Sequence, residues 1–344
     1  MAGEETKPIF RPYQLGEDDE AVARLFNQVF SEKITPSFWR HKYAGNPAGG
    51  WAFLTFVGGE LVSVSGWPVR FLRFHGEEIR VVSMCDVMVH PAWRGRYGGR
   101  LGSMARPLWE KIFKEAEIPF GVAFPNPKHY LVGKRFVRAR DLGKFRVEVV
   151  SFSRLWRLPK VAEAFRLLSL LRYSPPEGFF LQETRGEERD LKALDLLWQR
   201  VRERFSLAFV KDARSLKWRY FDWERLIPLK GRHFFLLKEG QEIRAFLVLK
   251  EAWSGPIKGF ELEEILSLPE EAKSAFQAAC WLSLKKGGHF LRYLSSPALD
   301  LPRGLPEREA PALWRPFAYE GPIEDLEKRL KPSLWHLTLG DVAV

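Results

Sequence analysis

The sequence predicts an α/β fold of the α+β kind, built from two mixed-sheet domains in tandem. Residues 80–116 read as a strand, a glycine-rich basic turn and an amphipathic helix, one after another. Runs of strand and helix character recur in a similar order in the second half of the 344-residue chain. Between the halves, the Pro/Gly-containing stretch from Ser174 to Gly178 interrupts regular structure. A chain of this length can bury two sizeable cores.

The first half opens with a strand and two helices and continues with two hairpins. Apolar residues at helical spacing follow an acidic turn at Glu17 and a Thr35-Pro36 pair, both typical of helix starts. Gly58 and Gly76 lie in the two hairpin turns. The predicted elements are a strand over 9–13, helices over 17–30 and 36–43, and strands over 51–57, 61–69, 71–74 and 79–89.

His90-Pro91 closes the last of these strands, since proline cannot donate to a strand ladder. The basic turn at 94–99 follows, and a helix begins at Leu101, in which Pro107 is expected to cause a kink or to remove one hydrogen bond. A right-handed crossover leads from that helix to the next strand. Strands are predicted over 118–124 and 145–152.

The second half repeats this order without the glycine-rich turn. Trp218-Arg219-Tyr220 echoes Phe38-Trp39-Arg40, while Pro269-Glu270-Glu271 stands where the first half has arginines and glycines. An acidic first turn repels a pyrophosphate, so we expect a degenerate copy of the fold without a cofactor site. Its predicted elements are strands over 179–182, 233–238, 243–249 and 260–266 and helices over 188–205 and 215–221.

The predicted organisation is a first domain over 1–155, a linker helix over 156–177 and a second domain over 178–344. The linker is amphipathic and basic. Such a helix can lie on a membrane surface. It more often packs against its own protein, which is the interpretation we favour.

Composition excludes several classes of protein. The chain is 46% hydrophobic and 28% charged, as expected of a globular protein. It lacks the run of roughly 18 apolar residues that spans a bilayer, and its acidic N-terminus does not resemble a signal peptide. These features predict no membrane span and a cytoplasmic location.

Charge and rare residues add weaker indications. The net charge of +11 is spread along the chain, so nucleic acid is an unlikely partner. Cys85 and Cys280 are the only cysteines, which favours buried thiols and argues against a structural metal site. Three asparagines and six glutamines are few for this length, a depletion typical of a thermophile.

Residues 87–99, VMVHPAWRGRYGG, resemble the acyl-CoA-binding motif of the GNAT superfamily of N-acetyltransferases, Arg/Gln-x-x-Gly-x-Gly/Ala between a strand and a helix. Arg94 takes the first place and Gly99 the last, while Tyr97 stands where the first glycine is expected. The Phe124-Pro125-Asn126 stretch followed by Tyr130 also looks like the end of the fifth strand of a two-domain GNAT subfamily, and the segment 335–341 looks like the C-terminal strand of that subfamily. The resemblance implies a tandem GNAT fold.

The resemblance also implies that acetyl-CoA, or another acyl-CoA, is the co-substrate, without a metal. Unpaired amides at a helix start suit its diphosphate, and the pantetheine arm lies along the fourth strand like an added strand. Glycines and arginines alone also fit an ordinary strand-to-helix connection, and Asn126 fits a helix cap. The residues expected to bind the cofactor are Val87, Met88, Val89, Arg94, Gly95, Arg96, Tyr97, Gly98, Gly99 and Asn126.

As a member, the chain is expected to transfer an acyl group to an amine by direct attack in a ternary complex. A backbone N–H near 87–89 would polarise the carbonyl. Tyr130 is the expected general acid, or a tyrosine packed at a helix start. Asp86, acidic within an apolar strand, either accepts the substrate's ammonium or proton or pairs with a nearby arginine. His90 and His129 are alternative bases.

Two other classes stay open. A non-catalytic acyl-CoA-binding or regulatory protein with the GNAT fold is favoured by Tyr97 in the motif. A FemX-like transferase that takes its acyl group from aminoacyl-tRNA is favoured by the charge of +11 and the paired domains, although such enzymes lack the CoA-type turn. The acceptor is expected to be a small-molecule or peptide amine, and the sequence does not indicate the oligomeric state.

Overall fold

A computed structural model describes residues 6–31, 33–152, 169–170, 172–174, 177–226 and 231–342. Most of the predicted linker helix at 156–177 lies outside these residues. Within them, none of the helices has the length and apolar character needed to cross a membrane.

The first half follows the predicted order of elements closely. Its strands are β1 (Ile9–Pro12), β2 (Gly50–Val57), β3 (Glu60–Phe74), β4 (Glu77–Ser83), β5 (Cys85–Val89), β6 (Phe120–Ala123) and β7 (Arg140–Ser151). Its helices are α1 (Asp19–Val29), α2 (Pro36–Tyr43), α3 (Leu101–Met104), α4 (Arg106–Glu115) and α5 (Pro127–Val132), with a π-helical turn at Gly133–Val137.

The second half contains strands that the sequence patterns did not reveal, among them β9, β13 and β14. Its strands are β8 (Phe179–Glu183), β9 (Leu207–Phe209), β10 (Arg232–Glu239), β11 (Glu242–Ser254), β12 (Ile257–Ser267), β13 (Phe290–Ser295), β14 (Leu305–Pro316) and β15 (Trp335–His336). Its helices are α6 (Glu188–Val201), α7 (Ala213–Leu216), α8 (Trp223–Leu226), α9 (Ala272–Lys285), α10 (Ile323–Arg329) and α11 (Leu339–Val342), with a π-helical turn at Lys217–Asp222.

The described strands form one continuous mixed sheet that passes through both halves. Its order is β1-β2-β3-β4-β6-β14-β7-β13-β12-β11-β10-β8. β14, late in the chain, lies between β6 and β7, and β7 in turn pairs with β13. Each half therefore contributes a strand to the other half's part of the sheet. The domain boundaries at 155 and 178 remain a prediction. They divide the chain by sequence order, whereas strands from both sides of them interleave in one sheet.

The strand predicted over 79–89 is interrupted, and this prediction was wrong. It divides at Met84 into β4 and β5, which both pair with β3. Asp86 has a positive φ of 49°, which a continuous strand does not allow. Gly66 pairs with Cys85 and Val64 with Met88, so two residues of β5 stand opposite one residue of β3. This is a β-bulge, which bends the strand away from its neighbour.

Two other predictions need correction. The helix after the glycine-rich turn divides into α3 and α4 at Ala105, and Pro107 lies in the first turn of α4, where a missing N–H costs nothing. The segment 335–341, expected to be a strand, pairs with β9 over only Trp335–His336 and then enters α11.

The exchanged strands predict that the two halves unfold together. Trp314 on β14 is 2% exposed and pairs with residues of both β6 and β7, so Trp314→Ala should lower the free energy of unfolding by about 3–5 kcal/mol. Trp253 on β11 is 60% exposed, and Trp253→Ala should change it by less than about 0.5 kcal/mol. Urea unfolding followed by circular dichroism measures both, and two separate transitions would contradict the interleaved sheet.

Candidate functional site

A gap between β5 and β6 forms the centre of the site. β4 pairs in parallel with β6 through Val82 and Ser83, and the N–H of Met84 donates to the carbonyl of Val122 at 3.0 Å. Beyond Met84 the strands diverge, and among the described strands β5 pairs with β3 alone. The edge of β5 that faces β6 is therefore free for an extended ligand, the mode of binding in which a ligand is added as a strand.

The glycine-rich turn has the left-handed backbone that its composition suggests. Gly95, Tyr97 and Gly98 have φ values of 83°, 52° and 64°. No hydrogen bond within the described part of the chain occupies the N–H of Gly95. The turn leads directly into α3, so it offers amides and the positive end of a helix to an anion.

Tyr97 adopts the conformation for which glycine is the usual residue. A left-handed φ costs a non-glycine residue about 1–2 kcal/mol, and contacts of the side chain offset part of this cost. Its hydroxyl donates to the carbonyl of Thr6 at 2.7 Å, and its ring stacks on Trp93 with the planes 17° apart. The side chain thus replaces a glycine without closing the turn.

A cavity of about 450 Å³ lies beside this turn, between β5 and α3. Six of the predicted cofactor residues line it: Val87, Met88, Val89, Arg94, Gly95 and Arg96. Tyr97 and Gly98 are not part of the lining. Gly102, which the sequence did not suggest as a site residue, also lines this cavity. A Cβ there would lie 3.3 Å from a methyl of Val87, so glycine lets α3 approach β5 closely.

A second cavity of about 610 Å³ opens beyond the bulge. It shares Phe30, Val87 and His129 with the first, so the two form one continuous path along β5. Residues of the second half complete its wall, namely Trp223, Arg232 and Lys250. Neither half alone therefore forms the cavity.

Asp86 lies in the wall of the second cavity at the bulge, with a side chain 9% exposed. Its Oδ2 accepts from the Tyr43 hydroxyl at 2.6 Å and lies 2.6 Å from Nζ of Lys42, so the partner is a lysine and not the arginine that we expected. Both partners are adjacent on α2. A side chain at Gly66 would overlap the Tyr43 hydroxyl, so this glycine makes room for the cluster.

The three groups around Asp86 have shifted pKa values. Burial lowers the pKa of the Lys42 ammonium, but the charge of Asp86, the neighbouring Cys85 and the hydrogen bond to Asp86 together outweigh burial and raise this pKa. Burial, followed by the charge of Asp86, raises the pKa of Tyr43 well above its usual value and that of Cys85 to about 12. At neutral pH the cluster therefore holds an ammonium, a neutral phenol and a neutral thiol around one carboxylate.

Tyr130 does not line either cavity. Its hydroxyl donates to Asp141, which also pairs with Lys134, and this hydrogen bond raises the pKa of Tyr130. His129, the preceding residue, lines both cavities. Asn126 lines the second cavity and caps α5, because its Oδ1 accepts from the N–H of His129 at 2.9 Å.

The second half also fixes α2, which carries Lys42 and Tyr43. The indole of Trp218 donates to the carbonyl of His41 at 3.1 Å, and Nε2 of His41 lies 3.1 Å from the carbonyl of Trp218. The ring of Phe38 meets that of Trp223 edge-on at 5.0 Å. These contacts join the regions of the two similar segments, Phe38-Trp39-Arg40 and Trp218-Arg219-Tyr220. Apart from that similarity, the sequence does not indicate that the two regions are in contact.

Comparison with known proteins shows what part of this chain is similar to a known family. Residues 10–131 match the model of the acetyltransferase (GNAT) domain. This stretch of the chain is similar to a GNAT domain. The match includes β5, the glycine-rich turn, the bulge and most of α5, and so spans the gap. A comparison with curated proteins finds no match.

Solved structures with the GNAT fold match most of the chain, and not only this domain. A GCN5-related N-acetyltransferase from Anabaena variabilis has a TM-score of 0.63 at 10% identity, covering 90% of this chain and 73% of that one. N-myristoyltransferase from Saccharomyces cerevisiae with bound myristoyl-CoA has a TM-score of 0.57 at 13% identity, covering 89% and 78%. The tandem fold predicted from the sequence is confirmed.

The charge of Asp86 should control the reactivity of Cys85. In Asp86→Asn the negative charge that helps to raise the Cys85 pKa is lost while Lys42 remains, so the pKa should fall and the thiolate fraction should rise about tenfold per unit. Labelling by a neutral thiol reagent at pH 9, located by mass spectrometry, measures the rate. Asp141→Asn, which removes an exposed carboxylate, is the control and should leave the rate unchanged. Equal rates in both variants would contradict the assignment.

Proposed function

We propose that the protein transfers an acyl group from an acyl-CoA, acetyl-CoA being the first candidate, to an amine by direct attack in a ternary complex. The observation that carries this proposal is the continuous path along the free edge of β5, with the turn at 95–99 at one end and Asp86 near the other. A thioester supplies the acyl group there. β5 and the turn at 95–99 lie within the matched residues 10–131.

The residues along this path fit a nucleotide thiol carrier. The left-handed turn and the arginines Arg94 and Arg96 suit a diphosphate. The free backbone edge of β5 suits the amides of a pantetheine arm. A backbone N–H of β5 near Val87 would then polarise the carbonyl as an oxyanion donor.

Asp86 is proposed to hold the attacking amine and to take its proton. Lys42 pairs with the carboxylate by direct contact, and Tyr43 fixes its orientation from the other side. The carboxylate reaches the cavity that both halves enclose. An amine bound there would therefore meet a fixed acceptor where the two cavities join.

Two residues are candidates for the group that protonates the departing sulfur. Tyr130 follows from the family resemblance, but its hydroxyl is engaged by Asp141. His129 lines both cavities and so lies on the path itself. The geometry favours His129.

Binding of the carrier is tested by calorimetric titration with acetyl-CoA, desulfo-CoA and bulk tRNA. We expect micromolar binding of both CoA compounds and none of tRNA. Arg94→Glu should weaken CoA binding by about tenfold or more, because it places a negative charge beside the diphosphate. Arg225→Glu, which changes an exposed arginine on α8, is the matched control and should leave it unchanged. Binding of tRNA alone would support the FemX-like alternative instead.

Catalysis is tested by steady-state rates with a panel of acyl-CoA compounds and amines. Asp86→Asn should lower kcat by about 10²–10⁴-fold, the usual contribution of a positioned base. His129→Gln should lower kcat more than Tyr130→Phe does; the reverse order would restore Tyr130 as the acid. CoA binding without turnover by any amine would instead indicate a regulatory protein.

A further inference from the structure

The second half contains a buried counterpart of the Asp86 cluster. The Tyr220 hydroxyl donates to Glu264 at 3.2 Å, and Lys211 pairs with the same carboxylate at 2.6 Å. Glu264 lies on β12 beside a register shift, as Asp86 lies beside the bulge of β5. Each half thus sets a tyrosine and a lysine against a carboxylate at an irregular strand position.

This second cluster is closed and more highly charged. Arg70, from β3 of the first half, bonds Asp341 at 2.5 Å, and Lys211 also pairs with Asp341 at 3.0 Å. Arg219 lies beside them in the π-helical turn. The charged side chains are 9% exposed or less. Burial opposes the charge of Arg219, but the neighbouring Tyr220 and Asp341 together outweigh burial and raise the pKa of Arg219, which therefore stays charged.

Arg219 is the member whose guanidinium has no carboxylate partner among the described residues. It is 9% exposed, and its Nε and Nη1 are buried with no acceptor within hydrogen-bond distance among the described residues. No ion pair of the described residues includes its guanidinium. A buried charged donor without an acceptor lowers the stability of the folded state, so we expect an acceptor beside it.

The charges around Arg219 do not balance within the cluster. Three cations, Arg70, Lys211 and Arg219, face two carboxylates, Glu264 and Asp341. Charged groups in neighbouring elements are already paired: Glu263 with Arg232 in a two-point contact and with Lys250 at 3.7 Å, and Asp86 with Lys42.

The remaining titratable neighbours are neutral. Burial raises the pKa of Tyr220 well above its usual value, and burial followed by the charge of Lys211 lowers that of His336 to about 3. One positive charge is therefore left over.

A small cavity adjoins the unpaired guanidinium. Its volume is about 30 Å³, and its wall includes Arg70, Lys211, Arg219, Ser215 and Asn46. A cavity needs about 10–15 Å³ to hold one water-sized species. It shares no lining residue with the two cavities along β5. The space fits a small inorganic anion and excludes a substrate or a nucleotide.

We infer that this cavity is a binding site for a small monovalent anion of the chloride class, held by Arg219 between the two halves. The anion would accept from the unpaired guanidinium and neutralise the excess charge. Arg70 comes from the first half, and Lys211 and Arg219 come from the second. Binding would therefore stabilise the junction of the halves, and it does not depend on the acyltransferase proposal.

The test compares chloride with gluconate, which is too large for the cavity, at one fixed ionic strength. Replacing gluconate by chloride should raise Tm by about 2–4 °C through binding to the folded state alone. Arg219→Gln should abolish this rise, and the control Arg225→Gln, at an exposed position, should retain it. A rise of the same size in Arg219→Gln would overturn the inference.

Crystals of the unaltered protein soaked in bromide give a second readout that does not depend on a variant folding. An anomalous peak within hydrogen-bond distance of the Arg219 guanidinium is expected. Electron density for water alone at this position, together with equal Tm values in chloride and gluconate, would show that water satisfies Arg219 and would overturn the inference.

Discussion

The site depends on the interruption of one strand at Asp86. As long as β4 runs beside β6, each strand satisfies the other's backbone groups. The positive φ of Asp86 and the extra residue of the bulge turn β5 away, and its outer edge loses its neighbour. An unpaired edge inside a protein is unfavourable unless something binds to it. The same distortion creates the gap and presents the carboxylate at the gap's wall.

Maintaining that distortion requires several contacts that act on one carboxylate. Lys42 supplies the opposite charge and Tyr43 a hydrogen bond, and Gly66 provides the space that Tyr43 occupies. A buried ion pair of this kind adds little net stability, because desolvation of both charges offsets their attraction. The contribution of the ion pair is to fix the orientation of the Asp86 carboxylate. Removing either partner would leave a buried charge uncompensated.

The interleaved sheet explains why a second half without a glycine-rich turn is kept. β14 lies between β6 and β7, so the wall of the gap that β6 forms is supported from the far end of the chain. Trp218 and Trp223 hold α2 from outside, and Arg232 and Lys250 close the second cavity. The second half retains the tyrosine, lysine and carboxylate arrangement, but its cavity is too small for any acyl carrier.

The sequence by itself determined the order of elements in the first half, the tandem GNAT fold and the turn that follows β5. These features are local: apolar periodicity, proline and glycine positions and the motif around Arg94 all act within a few residues of one another. Six of the predicted cofactor residues line the first cavity for the same reason.

Only the tertiary structure decided the partners of Asp86, the strand exchange and the position of Tyr130. Lys42 and Asp86 are far apart in the chain, and the short strand signals of β9, β13 and β14 gain meaning only from their neighbours in the sheet. Tyr130 was assigned from a motif, but the direction of its hydroxyl depends on Asp141, which lies on β7 and not on α5. A sequence pattern indicates the local structure around a residue, whereas a functional site consists of residues from distant parts of the chain that folding brings together.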